Sequence, residues 1–330
     1  MSREIDRTAE ADRTAQSSSS RLRILVTGAS GLVGSALVPR LATGGHEVIP
    51  LVRRRAGDPT RLVTWDPEAG QLPAPPLEGV DAVVHLAGES IASGRWTRER
   101  KRRIWQSRVQ GTHLLTETLA SLRRAPRVLV GASATGYYGD RGDEVLREDS
   151  TSGTGFLAEL CRAWEQATEP ASRAGIRVVH LRFGIVLSPA GGVLGRLLPP
   201  FRLGLGTTLG NGSQYMSWIS IDDLLDVIQR AIATADLAGP VNATAPQQVT
   251  NREFTRTLAR VLGRPALFAV PAPVLRLLAG EMAQEMLLSS ARVEPARLLA
   301  AGHRFRHPEL GGALRHLLGK RTPDHAPVGA

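Results

Sequence analysis

The chain is poor in residues on which several classes of protein depend. Cys161 is the only cysteine among 330 residues, which excludes an intramolecular disulfide and any metal site built from a cysteine cluster. It lies among Leu157, Leu160 and Trp164 at helical spacing, a pattern that predicts a core thiol rather than a nucleophile. From the sequence we predict no metal site.

Long apolar runs are also missing. No run reaches the roughly 18 residues that a membrane-spanning helix needs, and the first 20 residues are polar and end in four serines, unlike a secretory signal. We therefore expect a disordered leader over residues 1–20, a disordered tail over residues 321–330, and a cytoplasmic protein that does not contact a membrane.

Negative charge is in deficit, and the formal net charge is +10. Arginine supplies nearly all of the positive charge, since Lys101 and Lys320 are the only lysines. The densest basic run, Arg98–Arg103, leads into an apolar stripe at helical spacing, so we interpret it as the solvated face of an amphipathic helix. No nucleic-acid-binding signature accompanies it. We expect the excess positive charge to bind the cofactor phosphate and an anionic substrate rather than a nucleic acid.

An apolar run over Arg23–Val26 leads directly into a glycine-rich turn, Thr27–Gly34, and then into an amphipathic helix. The spacing of three glycines allows a tight turn, close approach of backbone N–H groups to a pyrophosphate, and packing of the helix on the strand. A second apolar run, Glu47–Val52, completes a βαβ unit that predicts dinucleotide binding, although Pro39 predicts a kink in the helix. The candidate contacts in the turn are Gly28, Ser30, Gly31, Leu32 and Gly34.

The residues after the second strand indicate which dinucleotide binds. A chain that binds NAD usually places an acidic residue about 20 residues beyond the glycines. This chain has Arg53 and Arg54 there, and a guanidinium pairs with the 2′-phosphate of NADP(H). The alternative is that these arginines belong to a solvated basic loop. The nearby Asp58 is consistent with this alternative.

Apolar strands and helices continue to alternate along the chain. Strands are predicted over residues 80–88, 127–133 and 176–182, with helices to about residue 124 and over 156–174, and this alternation predicts an α/β protein with a doubly wound, Rossmann-like parallel sheet. We expect a dinucleotide-binding domain over 21–265, with a substrate region from about 182, and a small helical domain over 266–320. The glycine-rich stretch 191–212 suggests a substrate loop or lid.

Two sites in the carboxyl-terminal half of the chain have residues that are typical of helix N-termini. Asp222 and Asp223 follow a short strand, and either is expected to cap the next helix; capping suits adjacent carboxylates better than a metal or acid/base pair. Thr250 and Glu253 have the spacing of a capping box.

Several separated motifs now add up to a family resemblance. The segments TGASGLVG, HLAG, a serine-bearing strand ahead of Tyr137 and Tyr138, and SWISIDDL resemble the extended short-chain dehydrogenase/reductase superfamily. LAGESI, WEQATEPASRAGIRVVHLRFGIVL, NATAPQQVTNREF and RVEPARLLAAGHRFRHPELGGAL are similar to its atypical epimerase-family group often labelled SulA-like cell-division inhibitors, which carries a small extra carboxyl-terminal domain. The resemblance covers about residues 22–318.

The resemblance implies hydride transfer at a nicotinamide, assisted by a Tyr-x-x-x-Lys pair and a strand serine. Ser133 matches that serine, but Phe156 and Leu160 stand where the pair is expected. The nearby phenols are those of Tyr137 and Tyr138, which we regard as candidate catalytic acids, with packing against the pocket as the alternative. Arg141 has a charge that lowers the pKa of a nearby phenol.

The resemblance also implies cofactor contacts outside the glycine turn. Leu86, Ala87 and Gly88 match the turn beside the adenosine ribose, and Arg108 matches a family arginine that reaches the cofactor; its alternative role is an exposed helix cation. Ser220 replaces a common family histidine.

Two functions are compatible with these features: an NADP(H)-dependent oxidoreductase or nucleotide-sugar-epimerase-like enzyme, and a weakly catalytic NADPH-binding regulator or redox sensor. The sequence does not identify the small-molecule substrate, and a homodimer is compatible with it.

Overall fold

The computed structural model describes residues 21–53 and 63–320. Fifteen strands lie in these residues: β1 (Arg23–Thr27), β2 (Glu47–Val52), β3 (Val63–Thr64), β4 (Ala82–His85), β5 (Val128–Ala134), β6 (Val145–Leu146), β7 (Arg177–Phe183), β8 (Ile185–Leu187), β9 (Thr207–Leu209), β10 (Tyr215–Met216), β11 (Trp218–Ser220), β12 (Gly239–Ala243), β13 (Val249–Thr250), β14 (Phe268–Val270) and β15 (Arg292–Val293).

The described residues also form ten α-helices: α1 (Leu32–Thr43), α2 (Arg98–Ala120), α3 (Phe156–Gln166), α4 (Glu169–Arg173), α5 (Gly192–Arg202), α6 (Ile221–Ala233), α7 (Asn251–Leu262), α8 (Ala272–Ala279), α9 (Ala296–Ala300) and α10 (Leu310–Leu317). Short 3₁₀ turns span Pro75–Leu77 and Thr135–Tyr138, and a π-helical turn spans Ala283–Leu288. Within the described ranges, no helix is long and apolar enough to cross a membrane.

Seven strands form one parallel sheet in the order β12-β7-β5-β4-β1-β2-β3. From β1 the chain builds the sheet outwards in one direction, through β2 and β3, and then continues on the other side of β1 with β4 and β5. The carboxyl ends of β1 and β4 therefore flank the crevice where open α/β sheets bind ligands. The predicted Rossmann-like doubly wound sheet is therefore confirmed.

Helices cover both faces of the sheet because alternate side chains of each strand point to opposite faces. On one face, Ile24 and Val26 pack with apolar residues of α1 and α6; on the other, Leu25 packs with residues of α2 such as Leu115. All of these side chains are fully buried. The apolar run of β1 is thus explained by burial on both sides.

The local structure differs from the sequence predictions at three places. Helix α1 continues through Pro39 to Thr43. The stretch 191–212 is not only a loop, because it contains α5, whose Leu194, Leu198 and Phe201 are buried at helical spacing. The single helix expected over 156–174 is two helices, α3 and α4.

Two helix starts were predicted with different success. The Thr250–Glu253 capping box is present at α7. At α6 the cap is Ser220, whose side chain accepts a hydrogen bond from the backbone N–H of Asp223, so the expectation of an aspartate cap is wrong. Ser220 begins the helix because its hydroxyl reaches the unpaired N–H groups of the first turn.

The carboxyl-terminal segment is joined to the rest of the chain by strand pairs and by apolar packing. Strand β14 pairs with β9, and β15 pairs with β6. Leu310 and Leu314 of α10 are buried against Phe254 and Leu258 of α7. These contacts place the segment beside the loops that follow the carboxyl ends of the sheet.

Candidate functional site

The turn between β1 and α1 has the backbone of a nucleotide-binding loop. Gly28 adopts φ +66°, and a Cβ there would lie 2.7 Å from the carbonyl carbon of Leu86. A Cβ on Gly34 would lie 2.2 Å from the carbonyl oxygen of Gly28. Side chains at these two positions would collide with backbone, so the tight packing of turn, helix and neighbouring strand requires glycine.

Gly31 differs from those two glycines because the space beside it is open. A Cβ there would meet only the Gly28 carbonyl oxygen, at 3.3 Å. Gly31 is the exposed N-cap residue of α1, and no side chain caps the helix. The first-turn N–H groups lack intrahelical partners, and they carry the positive end of the helix dipole. This arrangement fits a pyrophosphate.

The remaining residues of the turn lie around that space. Ser30 is exposed, and Leu32 is half-buried. A Cβ built on Gly192 would lie 3.0 Å from Leu32 Cδ2, which shows that the start of α5 lies against the turn. The segment after β8 therefore covers one side of the candidate phosphate site.

Arg53 is exposed and comes directly after β2. Because Thr27 pairs with Leu51 in the sheet register, Arg53 lies two residues past the level at which β1 ends. It is thus at the same edge of the sheet as the glycine turn. Arg54 lies outside the described residues.

The end of β4 is fixed by a buried polar chain that includes His85. The Thr27 hydroxyl oxygen accepts from the N–H groups of Leu86 and Ala87, both at 3.1 Å, and lies 2.8 Å from His85 Nδ1. Its own proton is therefore donated to His85 Nδ1, which leaves Nε2 to donate to Thr112 at 2.8 Å. Burial, together with the charge of Arg108, lowers the pKa of His85 to about 4, so the ring is neutral.

Arg108 lies beneath the turn that follows β4. Its guanidinium donates to the carbonyl of Glu89 at 2.9 Å and stacks over the Trp164 ring at 5.0 Å. A Cβ on Gly88 would lie 3.0 Å from the guanidinium carbon. Burial lowers the pKa of Arg108 to about 10, and its Nε has no partner among the described residues. Arg108 is therefore a buried cation that touches the candidate ribose turn, not an exposed one.

Ser133 of β5 joins a buried ion pair that the sequence did not reveal. Its hydroxyl donates to Glu165 Oε1 at 2.7 Å. The same carboxylate binds the Arg182 guanidinium through two bonds, at 2.8 and 2.9 Å, and the two side chains are 12% and 3% exposed. Burial alone would lower the pKa of Arg182, but hydrogen bonding and the charge of Glu165 raise it above its ordinary value. Arg182 is therefore a buried cation that is paired with the Glu165 carboxylate.

The two candidate phenols have different surroundings. The Tyr138 side chain is fully buried, and its hydroxyl lies 2.7 Å from Asn242 Oδ1 and accepts from Arg182 at 3.0 Å. Burial raises the pKa of Tyr138 to about 12. This placement argues against Tyr138 as a proton donor to substrate. Tyr137 is half-buried, with the Arg182 guanidinium carbon 3.5 Å from its ring centroid.

Other residues singled out in the sequence have structural partners. Arg141 forms an ion pair with Glu144 at 2.6 Å, which offsets the charge expected to act on a phenol. Cys161 is buried, and burial raises the pKa of its thiol to about 12, so the predicted core thiol is confirmed.

Glu285, on the π-helical turn, is a site residue that sequence reasoning missed. Its carboxylate accepts from the N–H groups of Phe156 and Leu157, at 2.9 and 2.8 Å. Helix α3 has no cap from its own N-cap residue, Gly155, whose φ is +98°. The glycine at the N-cap was the sign in the sequence that this helix needs a cap from elsewhere in the chain. Phe156 packs on Trp96, with ring centroids 5.2 Å apart.

A groove of about 740 Å³ lies between the loop after Tyr138 and the carboxyl-terminal segment. Its lining includes Asp140, Tyr215, Arg276 and Gln284. Polar groups of both charges therefore line this groove.

Comparison with known proteins agrees with this geometry. Residues 24–243 match the NAD dependent epimerase/dehydratase family, and residues 270–317 match a domain of unknown function, DUF1731. An epimerase family protein of Mycobacterium bovis is 45% identical over 291 residues, which cover 88% of this chain and 96% of that protein. The human epimerase family protein SDR39U1 is 37% identical over 300 residues, covering 90% of this chain and 100% of that protein.

A crystal structure of human SDR39U1 with NADPH matches this fold with a TM-score of 0.83 at 34% identity, covering 90% of this chain and 99% of that one. A nucleoside-diphosphate sugar epimerase structure from Corynebacterium glutamicum matches with a TM-score of 0.76 at 42% identity; the match covers 91% of this chain and 59% of that longer one. The chain belongs to the NAD dependent epimerase/dehydratase family, in its atypical short-chain dehydrogenase/reductase branch with a DUF1731 carboxyl-terminal domain.

Proposed function

We propose that this protein binds NADP(H) and is a slow oxidoreductase that acts on a small substrate bearing a hydroxyl group or the corresponding carbonyl. The observation that carries the proposal is the glycine turn, in which the space beside Gly31 is open whereas that beside Gly28 and Gly34 is filled by backbone. That open space adjoins uncapped N–H groups, as a pyrophosphate requires. The human relative crystallised with NADPH supports the same cofactor.

The preference for NADP(H) over NAD(H) rests on Arg53. It lies exposed at the end of β2, on the edge of the sheet that carries the glycine turn. A guanidinium pairs with a 2′-phosphate through charge-assisted bonds, whereas NAD(H) offers it only hydroxyl groups.

Ser133 is only 3% exposed, so in this proposal the substrate reaches its hydroxyl oxygen alone, and the orientation of that hydroxyl determines which form of the substrate binds. Because this hydroxyl donates its proton to Glu165, its oxygen is left to accept a hydrogen bond. A substrate hydroxyl satisfies that oxygen, and a substrate carbonyl does not. The arrangement therefore favours binding of the alcohol form of the substrate.

A proton path follows from the same contacts. When the substrate hydroxyl loses its proton to Ser133 Oγ, the Ser133 proton passes to the Glu165 carboxylate, and the reverse transfer protonates the oxygen in the reduction direction. Bound NADP⁺ supplies the hydride acceptor for the carbon that bears this oxygen. Arg182 holds the Glu165 carboxylate through two hydrogen bonds, and helix α3 contains neither tyrosine nor lysine, so we expect slow turnover compared with relatives that have a Tyr-Lys pair.

The test combines a cofactor titration with a turnover assay. Wild type is mixed with NADPH or NADP⁺ and a panel of aldehydes, ketones, enones and alcohols, and nicotinamide absorbance is followed. The Ser133→Ala variant keeps the Glu165–Arg182 pair but removes the proton path, so its turnover should fall by about 10²-fold or more, with NADPH affinity unchanged. Full activity of this variant would exclude the path.

Tyr137→Phe tests the remaining phenol. This change removes the hydroxyl but keeps the ring against Arg182. If turnover is lost in Tyr137→Phe and retained in Ser133→Ala, Tyr137 is the proton donor and our assignment of Ser133 is wrong.

Two observations favour a second function, that of an NADPH-binding regulator or redox sensor. Helix α3 contains neither tyrosine nor lysine, and the phenol of Tyr138 is enclosed in the protein interior. Tight NADPH binding without turnover of any substrate in the panel would support this function and overturn the oxidoreductase.

A further inference from the structure

Two histidines and an aspartate meet on the surface outside the candidate cofactor site. The ligand atoms of Asp222, His307 and His316 all lie within 4.8 Å of one another. His316 Nε2 is 3.1 Å from Asp222 Oδ2, and the two imidazole rings stack with centroids 4.3 Å apart at 27°.

Each of the three residues is held by a separate element. Asp222 is in the first turn of α6, and His316 is in the last turn of α10. The segment containing His307 is anchored by the buried Asp223 carboxylate, which accepts from the backbone N–H groups of Arg306 and His307 at 2.6 and 3.2 Å. The cluster is therefore positioned by backbone and packing rather than by flexible side chains alone.

The donor set determines the ligand class. Two imidazole nitrogens and one carboxylate oxygen suit Zn²⁺, which accepts three protein ligands and one water in tetrahedral geometry. Ligand atoms at 2.0–2.1 Å from zinc are about 3.3 Å apart in that geometry, so small side-chain rotations are enough to close the cluster. His316 is 55% exposed and Asp222 31%, which leaves an entry path for the ion and a place for water.

We propose that Asp222, His307 and His316 form a zinc site that fastens the carboxyl-terminal segment to helix α6. The three residues are brought together only by folding, since 85 positions separate Asp222 from His307 in the sequence. Zinc at this site should therefore bind the folded chain in preference to the unfolded chain and raise its melting temperature.

The experiment uses the full-length chain without a polyhistidine tag, after treatment with a chelator. ZnCl₂ is titrated in competition with a colorimetric chelator, and Co²⁺ is added separately to record the visible spectrum of a site with nitrogen and oxygen ligands. We expect one zinc per chain, a tetrahedral Co²⁺ spectrum, and a rise in melting temperature with added zinc.

The variants separate the proposed site from other histidines. His307→Ala and His316→Ala should each weaken zinc binding at least about tenfold and remove the thermal shift. Asp222→Asn keeps the shape of the side chain and should also weaken binding, so a folded variant is available if an alanine variant misfolds. The controls are His113→Ala, which alters an exposed residue paired with Glu117, and His325→Ala.

Two results would overturn the proposal. If wild type binds zinc no more tightly than the His307→Ala/His316→Ala double variant, the contact between Asp222 and His316 is an ordinary hydrogen bond. If one of the control variants loses the bound zinc instead, the ion is held elsewhere.

Discussion

Replacing Gly31 and Gly34 separately by alanine should affect different properties, cofactor binding in the first case and stability in the second, although the two glycines are only three positions apart. A Cβ on Gly34 would be 2.2 Å from the Gly28 carbonyl oxygen, about 0.8 Å inside the 3.0 Å limit that real Cβ atoms respect. The backbone must move, and such overpacking costs about 1–3 kcal/mol. Because the clash is with backbone, the cost should lie near the upper end of that range, and after a gain in helix propensity of about 1 kcal/mol for glycine to alanine a net loss of about 2 kcal/mol remains.

At Gly31 the added methyl group meets only one atom, at 3.3 Å. Loss of glycine also lowers the entropy of the unfolded chain, which stabilises the folded state by about 0.4–1 kcal/mol. Gly31→Ala should therefore change the free energy of unfolding by less than about 1 kcal/mol. The methyl group occupies space that a pyrophosphate needs, so NADPH affinity should fall at least about tenfold, or 1.4 kcal/mol.

Urea denaturation measures the first quantity, and a titration followed by NADPH fluorescence measures the second. The larger Gly31→Val change should abolish binding in a protein that still folds. Undiminished NADPH binding by folded Gly31→Ala and Gly31→Val would show that the phosphates bind elsewhere. A Gly34→Ala variant as stable as wild type would show that the turn is looser than the structure indicates.

Three further predictions concern the cofactor phosphate, a buried hydroxyl group and a buried histidine. Arg53→Ala should weaken NADPH binding at least about tenfold and leave NADH binding within about twofold, because one charge-assisted hydrogen bond contributes about 1.5–3 kcal/mol. Equal affinities of the wild-type protein for NADPH and NADH in calorimetry would contradict this prediction. Tyr138→Phe should lower the free energy of unfolding by about 1–3 kcal/mol, because the buried oxygen Asn242 Oδ1 loses the hydroxyl that bonds it. Tyr137→Phe should change that free energy by less than about 0.5 kcal/mol, and equal urea midpoints of the two variants would refute this contrast. Burial lowers the pKa of His85 from 6.5 to about 4, so below pH 6.5 the unfolded chain binds more protons, and this residue alone lowers the free energy of unfolding by about 2 kcal/mol between pH 7.5 and pH 5. Burial also lowers the pKa values of His180 and His303, which adds to the loss in the same direction, so a constant free energy of unfolding over that range would contradict the prediction.

Features with local causes could be predicted from the sequence. Strand β2 spans Glu47–Val52, the same residues as the apolar run. The Thr250 capping box also forms as expected, because both of its residues lie within one helical turn. The glycine turn was predictable for the same reason, since its three nearby glycines permit a tight turn and a close approach of backbone that other residues do not.

Features that depend on distant packing were not predictable. The glycine content of residues 191–212 concealed α5, which is helical because Leu194 and Phe201 bury against the carboxyl-terminal core. Ser133 faces Arg182 only because β5 and β7 are neighbours with that register. Since register is a property of the assembled sheet, the sequence pattern around Ser133 contained no sign of the ion pair that fixes its hydroxyl.

The carboxylate of Glu285 has a consequence for how this chain can be divided. A domain boundary near residue 265 suggests two modules that could be expressed or exchanged separately. Yet the second module supplies the cap of α3, and β14 and β15 complete two-stranded pairs with the first. A chain truncated before residue 266 would leave the start of helix α3 without its cap. Exchange of carboxyl-terminal domains between relatives is therefore expected to succeed only when the donor domain brings an acidic residue to the same place.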